Sequence, residues 1–124
     1  MVKITSIEKF DPRVWGITVN FTVLENFDEK SVNFKDGTVH KTKDFLIADN
    51  TANILFNLWD EKIGLLKKGK NFQVNNARMT VFNNVMKLTT SRTSEIKEIT
   101  DKIIPNLDNK MSEKKFKPAK KVFF

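Results

Sequence analysis

The sequence predicts an all-β domain, a five-stranded barrel with one short helix between its third and fourth strands. Several segments alternate apolar and polar residues with a period of two, and turn-forming Gly, Asp and Asn residues separate them. A length of 124 residues suits one domain. A domain of this size buries about two thirds of the surface of its unfolded chain, which is enough for a single core.

The first strand begins after Asp11-Pro12, a turn signal that ends an N-terminal segment packed on the barrel. Apolar residues occupy every second position of this strand, so one of its faces is buried and the other is polar. The face predicted to be buried, which includes the first tryptophan of the chain, comprises Trp15, Ile17, Val19, Phe21 and Val23.

The segment 25–39 is predicted to be a loop with a hairpin turn at Asp36-Gly37, since Asp-Gly between extended segments favours a tight turn. Phe27 and Phe34 stand out in this polar stretch. They either tuck under the loop, which is the favoured interpretation, or are presented to a ligand.

The second and third strands, residues 40–48 and 54–58, are predicted to form a hairpin around the turn Asp49-Asn50-Thr51. Phe45 and Ile47 face the core. The opposite face ends in a tryptophan beside an asparagine, which suits a surface that stacks on a flat ligand. The residues expected to share this outer face are Thr42, Asp44, Asn57 and Trp59.

After Trp59 the period of the pattern changes, and a short helix is predicted to close one end of the barrel. Asp60 is a suitable N-terminal cap, and Gly69 is placed to end the helix. Its apolar side comprises Ile63, Leu65 and Leu66.

The fourth strand, residues 71–79, and the fifth, residues 85–91, are predicted to be joined at the turn Asn83-Asn84. Ile96 and Ile99 continue either as a short strand or as a first helical turn. Expected on one face of the fourth strand are Phe72, Val74 and Asn76, and expected to face outward from the fifth are Lys87 and Thr89.

Five strands with a helix between the third and the fourth is the element order of an OB-fold. That barrel binds oligonucleotides across its second and third strands and the loops that join strands one to two and four to five. A fold class does not by itself define a function.

The composition excludes several functional classes. Without cysteine there is no disulfide, thiol nucleophile or thiolate zinc site, and a single histidine, His40, argues against His-rich catalytic metal sites. No catalytic motif is found, so neither an enzyme nor a cofactor is expected. The sequence lacks both an apolar run of about 20 residues and a signal-peptide core. An intracellular protein without a membrane partner is therefore expected, in the nucleus if the source is eukaryotic and in the cytoplasm or nucleoid otherwise.

The net charge of +7 is unevenly distributed. Residues 1–101 carry 15 basic and 13 acidic side chains, whereas residues 102–124 carry 7 lysines and 2 acids. The barrel is therefore expected within residues 1–101, followed by a mobile basic tail over residues 102–124. The tail is a cationic arm that adds phosphate affinity, a peptide that docks on a protein partner through Phe123-Phe124, or simply a solvated end; the first is favoured, with the Phe pair as a separate contact. A monomer is expected in the free state.

Two segments resemble the simple single-OB single-stranded DNA-binding proteins of archaea and their eukaryotic relatives, the B subunit of the SOSS complex. The first comprises Ala48-Asp49-Asn50-Thr51, the strand 54–58, and residues 59–69, which begin Trp-Asp-Glu and end in Gly69. The second comprises residues 76–84 and Met86-Lys87-Leu88. The resemblance covers roughly residues 4–100 and implies single-stranded DNA binding in replication, recombination or repair.

In that family bases stack on aromatic side chains at four places. Carried over by position, Trp59 and Phe82 are two of them, Arg78 stands at the aromatic of the fourth strand, and Thr89 stands at a tyrosine of the fifth. A guanidinium plane also stacks on a base and attracts phosphate. Further candidates for phosphate contacts are Lys43, Lys87 and Arg92, and for polar contacts near the bases Thr42 and Asn57.

Other interpretations remain open from the sequence. Trp59 packs beneath the short helix in one of them, and Phe82 is a plain turn anchor in another. At the level of function, the alternatives to a sequence-tolerant single-stranded DNA-binding protein are an RNA-binding OB module and a protein-interaction adaptor.

Overall fold

The computed structural model describes residues 4–113 of the chain, except the side chain of Phe82. This part of the chain contains six strands and three short 3₁₀ helices. The 3₁₀ helices span Ile7–Lys9, Asp60–Leu65 and Met111–Glu113. No helix in this part of the chain is long and apolar enough to cross a membrane. The strands are β1 (Trp15–Asn26), β2 (Lys30–Asn33), β3 (Val39–Ala48), β4 (Asn53–Trp59), β5 (Asn71–Phe82) and β6 (Val85–Ile99).

Five of the strands close into a barrel. The sheet order is β1-β5-β6-β4-β3-β2, and β1 also pairs with β3, so the ring consists of β1, β5, β6, β4 and β3. Strand β2 pairs with β3 outside the ring, and the β4–β6 pair is parallel. With the 3₁₀ helix after β4, this is the predicted OB-fold, and the fold prediction is confirmed.

The core consists of the inward faces of the five ring strands. Phe21 is fully buried at its centre, with ring centroids 5.6 Å from Phe56 and 6.1 Å from Phe72. Aromatic pairs at such distances stabilise a fold by about 0.5–1.5 kcal/mol each beyond their buried area. Phe45 and Ile47 are also buried, as the alternation in the second predicted strand indicated.

Trp15 lies outside the core, contrary to the prediction, with 80% of its surface exposed. The partner of Trp15 on β5 is Arg78 and the partner of Ile17 is Ala77, so Gly16 is an extra residue in β1. Gly16 has a φ of +67°, a conformation that favours glycine. Because side chains alternate along a strand, one extra residue turns Trp15 to the outer face while Ile17 stays inside.

A second irregularity lies where β5 faces β6. Asn75 pairs with Glu95, but Ala77 pairs with Thr90, so residues 91–94 bulge out of β6 opposite Asn76. Asn76 is exposed with a φ of +58°, so its predicted place on the face of Phe72 and Val74 is wrong. Strand β6 nevertheless continues to Ile99, which resolves the two alternatives for that segment in favour of a strand.

The predicted short helix exists as a 3₁₀ helix, but Asp60 is not its cap. Trp59 stands at the N-cap position without a side-chain hydrogen bond, and Asp60 has a φ of +52°. Leu66, just after the helix, is buried against the core, whereas Leu65 is 46% exposed. The helix therefore covers the end of the barrel with only part of its predicted apolar side.

The turn predicted at Asp36-Gly37 is confirmed, because the Phe34 amide donates to the Thr38 carbonyl at 2.9 Å. It joins β2 to β3, and β2 is a strand that the sequence pattern did not reveal. Phe27 and Phe34 are 46% and 43% exposed, so the favoured interpretation that they tuck under the loop is wrong.

Residues 102–113 pack on the barrel, so the boundary expected at residue 101 falls too early. The Asn106 amide donates to the Asp49 carbonyl at 2.9 Å, and Met111 is only 3% exposed. Ser112 Oγ accepts from the Leu55 amide at 2.9 Å and donates to the Met86 carbonyl. The remainder of the predicted tail, including Phe123-Phe124, lies outside the described residues.

Candidate nucleic-acid interface

Three rings meet where β4 ends beside the β2–β3 hairpin. The ring centroid of Phe34, near the hairpin tip, lies 4.2 Å from that of His40 and 5.8 Å from that of Trp59. Trp59 is partly exposed and Phe34 is exposed. The indole of Trp59 is therefore not sealed beneath the short helix, and a flat ligand has access to an aromatic surface here.

A chain of hydrogen bonds ties the hairpin to the turn after β4. Thr38 Oγ1 donates to Asp36 Oδ1 at 2.6 Å and lies 2.8 Å from His40 Nε2, and His40 Nδ1 lies 2.8 Å from Asp60 Oδ2. The hydrogen bond from His40 and one from the Lys41 amide, at 3.0 Å, lower the pKa of Asp60. This chain holds Phe34 beside Trp59.

The outer face predicted for the second and third strands exists on β3 and β4. Thr42 pairs with Trp59, and Asp44 pairs with Asn57. Asn57 Nδ2 donates to both Thr42 Oγ1 and Asp44 Oδ1 at 2.8 Å. The predicted polar residues are thus together, but they are already hydrogen-bonded to one another.

Lys87, a predicted phosphate contact, lies beside this polar group on β6. Its Nζ is 2.7 Å from Asp44 Oδ2, and the two side chains are 21% and 23% exposed. The carboxylate therefore neutralises much of the charge of Lys87 on this face. A phosphate would compete with Asp44 for this lysine.

Two predicted contacts are not available on the outer face. Thr89 is only 4% exposed, and its hydroxyl donates to the Asn57 carbonyl at 3.0 Å, so it joins β6 to β4. Lys43 places Nζ 5.4 Å from the ring centroid of Phe45, a core residue. By alternation along β3, Lys43 lies on the opposite face from Thr42.

Arg78 and Arg92 are exposed, and neither takes part in the salt bridges found within residues 4–113. Arg78 pairs with Thr89 on one side and with Trp15 on the other. Arg92 is in the bulge of β6, where Lys62 Nζ donates to the Ser91 carbonyl at 3.2 Å. Both arginines are therefore free to attract phosphate.

Phe82 ends β5 and pairs with Val85 across the turn. Asn83 and Asn84 have φ values of +53° and +65°, which confirms the predicted Asn-Asn turn. The side chain of Phe82 lies outside the described residues, so its stacking role remains a prediction.

Sequence reasoning missed Trp15 as a surface residue and left Phe34 open. A signal existed for each. A glycine such as Gly16 within an otherwise regular strand is typical of a bulge. A bulge there changes the face on which Trp15 lies, so the glycine was a signal against placing Trp15 in the core. Phe34 stands two residues before Asp36-Gly37, close to the tip of a hairpin, where a large apolar side chain has little to pack against.

The described residues hold no group of three or more His, Asp or Glu side chains placed to bind a metal ion. The outer face carries aromatic surface at Phe34 and Trp59, and two exposed arginines, Arg78 and Arg92, that form no salt bridge within residues 4–113.

The sequence model of the family described as "Single-stranded DNA binding protein Ssb-like, OB fold" matches residues 12–98. No curated protein sequence matches the chain.

Several solved structures share the fold. A hypothetical protein from Arabidopsis thaliana has a TM-score of 0.77 at 20% identity, covering 95% of this chain and 88% of its own. DNA-binding domain A of Saccharomyces cerevisiae Replication Protein A has a TM-score of 0.63 at 18% identity, covering 80% and 96%. Schizosaccharomyces pombe Pot1pC, solved bound to single-stranded DNA, has a TM-score of 0.60 at 11% identity, covering 79% and 87%.

Proposed function

Because the chain belongs to the Ssb-like OB-fold family of single-stranded DNA-binding proteins, we propose that it covers exposed single strands in replication, recombination or repair. The chain is an OB-fold nucleic-acid-binding domain. Binding is sequence-tolerant and depends on bases that stack on Trp59. No catalytic step is required of it.

One observation carries this proposal: Trp59 is partly exposed on a barrel strand that OB-folds use to bind oligonucleotides. It ends β4, the third strand of the barrel, and Phe34 extends the aromatic surface from the connection between the first two barrel strands. Stacking on an aromatic side chain contributes about 1–3 kcal/mol per base and is tolerant of sequence because every base has a π-face.

The charges around Trp59 suit a strand that is bound mainly by stacking. Arg78 and Arg92 are exposed and unpaired among the described residues, while Lys87 is paired with Asp44. Phosphate contacts are thus concentrated on β5 and on the bulge of β6. Each phosphate neutralised on a single strand makes the slope of log K against log salt more negative by about 0.7.

The test is the affinity of the full chain for fluorescein-labelled oligo-dT, measured by anisotropy. Trp59→Ala is expected to weaken binding by about 1–3 kcal/mol, or about 5- to 150-fold in Kd. Ile104→Ala removes an apolar side chain that is 71% exposed, away from the aromatic cluster, and should leave the Kd unchanged.

An unaltered Kd for folded Trp59→Ala would refute stacking on Trp59. A duplex of matched sequence that binds as tightly as the single strand would refute single-strand selectivity. An RNA oligomer of matched sequence that displaces the DNA at equal concentration would favour the RNA-binding alternative, because contacts to the 2′-hydroxyl let a protein distinguish RNA from DNA.

A further inference from the structure

Trp15 is the most exposed of the large hydrophobic residues in the described part of the chain, at 80%. It is one of only two tryptophans, and it stands at the start of β1. An indole left in water forgoes the stabilisation that burial would bring. The exposure of Trp15 therefore requires an explanation other than packing.

The bulge at Gly16 turns the side chain of Trp15 outward. The extra residue, Gly16, adopts a φ of +67°, and the pairing of Trp15 with Arg78 places both side chains on the outer face of the barrel. Without that bulge, Trp15 would lie on the face of Ile17, which is 1% exposed.

Trp15 is continuous with the candidate interface. Residues that pair directly on successive strands form one row across the outer face. In this row only Thr89 stands between Arg78 and Asn57. The row consists of Asp44 (β3), Asn57 (β4), Thr89 (β6), Arg78 (β5) and Trp15 (β1). From β4 to β1 it crosses three strand spacings, roughly 14 Å along the surface.

The surroundings of Trp15 are polar and cationic. Arg78 is its partner on β5, and a Cβ at Gly16 would lie 3.9 Å from Asn76 Oδ1. The Asn76 carbonyl accepts from the hydroxyls of Ser91 and Ser94, which flank Arg92 in the bulge of β6. An exposed ring with an exposed arginine as its partner on the next strand, and a second exposed arginine in the bulge of β6, matches a ligand that has flat bases and phosphates. It differs from the apolar ring of contacts that seals a protein anchor.

We propose that Trp15 and Arg78 form a second base-stacking position, which binds a nucleobase of a single strand that runs from Trp59 across β6 and β5 to β1. This inference rests on the proposed function, since it needs a strand already bound at Trp59. Arg78 contributes its guanidinium charge to the adjacent phosphate, and the indole of Trp15 stacks on the base.

The chain has only two tryptophans, so the Trp59→Phe variant carries Trp15 as its sole indole. Phenylalanine at position 59 preserves an aromatic ring for stacking, so this variant is expected to bind with a Kd of its own, which is measured by anisotropy. Unlabelled oligo-dT is expected to quench the fluorescence of Trp15, and the quenching should saturate at the same DNA concentration as the anisotropy of a labelled oligomer.

Affinity gives an independent measurement. Trp15→Ala should raise the Kd for oligo-dT about 5- to 150-fold, the range for loss of one stacked base. Trp15→Phe should restore most of the affinity, and Ile104→Ala, which truncates another highly exposed apolar side chain, should leave the Kd unchanged. The melting temperature of each variant reports whether the fold is intact.

The outcomes separate this inference from the proposed function. If the native protein binds oligo-dT, but Trp15 fluorescence stays constant at saturation and Trp15→Ala keeps the native Kd, the second position is overturned and the role of Trp59 stands. If the native protein does not bind, both fall. If Trp15→Ala keeps the native Kd but lowers the mass of the free protein in sedimentation, Trp15 contacts a second copy of the chain, and the inference is overturned.

Discussion

Replacing Asp44, the salt-bridge partner of Lys87, with Asn is expected to strengthen the binding of single-stranded DNA. Lys87 Nζ lies 2.7 Å from Asp44 Oδ2 on the outer face of the barrel, next to Asn57. Replacing Asp44 with Asn removes one negative charge from that face and releases the lysine. The amide oxygen of the new side chain still accepts the hydrogen bond from Asn57 Nδ2.

The magnitude follows from simple electrostatics. Two unit charges about 6 Å apart interact by about 0.7 kcal/mol at the dielectric constant of water, and more strongly in a partly shielded site. Both side chains are about one fifth exposed. A gain of about 1 kcal/mol, or about fivefold in Kd, is therefore expected at low salt. The substitution should also destabilise the fold, because it leaves the largely covered Lys87 ammonium without its partner, so the melting temperature of the variant is measured beside its Kd.

The assay is oligo-dT anisotropy over a series of salt concentrations. If Lys87 gains a phosphate in Asp44→Asn, the slope of log K against log salt becomes more negative by about 0.7. Asp108→Asn is the matched control, because it changes the net charge equally at an exposed site on the segment that follows β6. It should leave the slope unaltered and shift the Kd little.

Equal slopes and equal affinities for the native protein and Asp44→Asn would contradict the reasoning, and would mean that the strand does not pass over Asn57. A gain in affinity that persists when Lys87→Met is added to Asp44→Asn would show instead that the gain comes from removal of the carboxylate and not from the lysine.

Two further predictions concern the scaffold that positions the aromatic residues. Gly16→Ala should lower the free energy of unfolding, measured by urea denaturation, by about 1–2 kcal/mol, because a left-handed backbone is unfavourable for alanine. Gly64→Ala is the control, since Gly64 has neither a positive φ nor a neighbouring atom within 4 Å of an added Cβ. Hydrogen bonds to Asp60 from His40 and from the Lys41 amide lower the pKa of this carboxyl group from 3.8. The charged carboxylate therefore stabilises the fold above pH 3.8, and this stabilisation is lost as the pH falls through the lower pKa of the folded state. Asp60→Asn should therefore lose less stability on acidification below pH 3.8 than the native protein, and an equal loss would show that this contact does not stabilise the fold.

Where local patterns sufficed, the sequence-based prediction agrees with the structure. The alternation in β3 and β4 correctly placed Phe45 and Ile47 inside and Thr42 and Asn57 outside. Asp36-Gly37 and Asn83-Asn84 form the expected turns, because these residue types tolerate the backbone angles that tight hairpins need.

The misplaced residues share a different cause. Trp15 and Asn76 follow the expected alternation in the sequence, but each lies at a bulge, which is a property of two paired strands and not of one. Thr89 is covered because it bonds to the Asn57 carbonyl, 32 residues earlier in the chain. Nothing local in either strand marks such a contact.

The sequence by itself determined the strand pattern, the turns, the family resemblance and the identity of Trp59 as an outward tryptophan, since each depends on the period of neighbouring residues or on a short motif. Only the tertiary structure decided which charges remain free and which rings are exposed. Lys87 is neutralised by Asp44, 43 positions away, whereas Arg78 is not paired within the described residues. The physical reason is that charge pairing and strand register are set by contacts between distant segments, and these exist only once the barrel has closed.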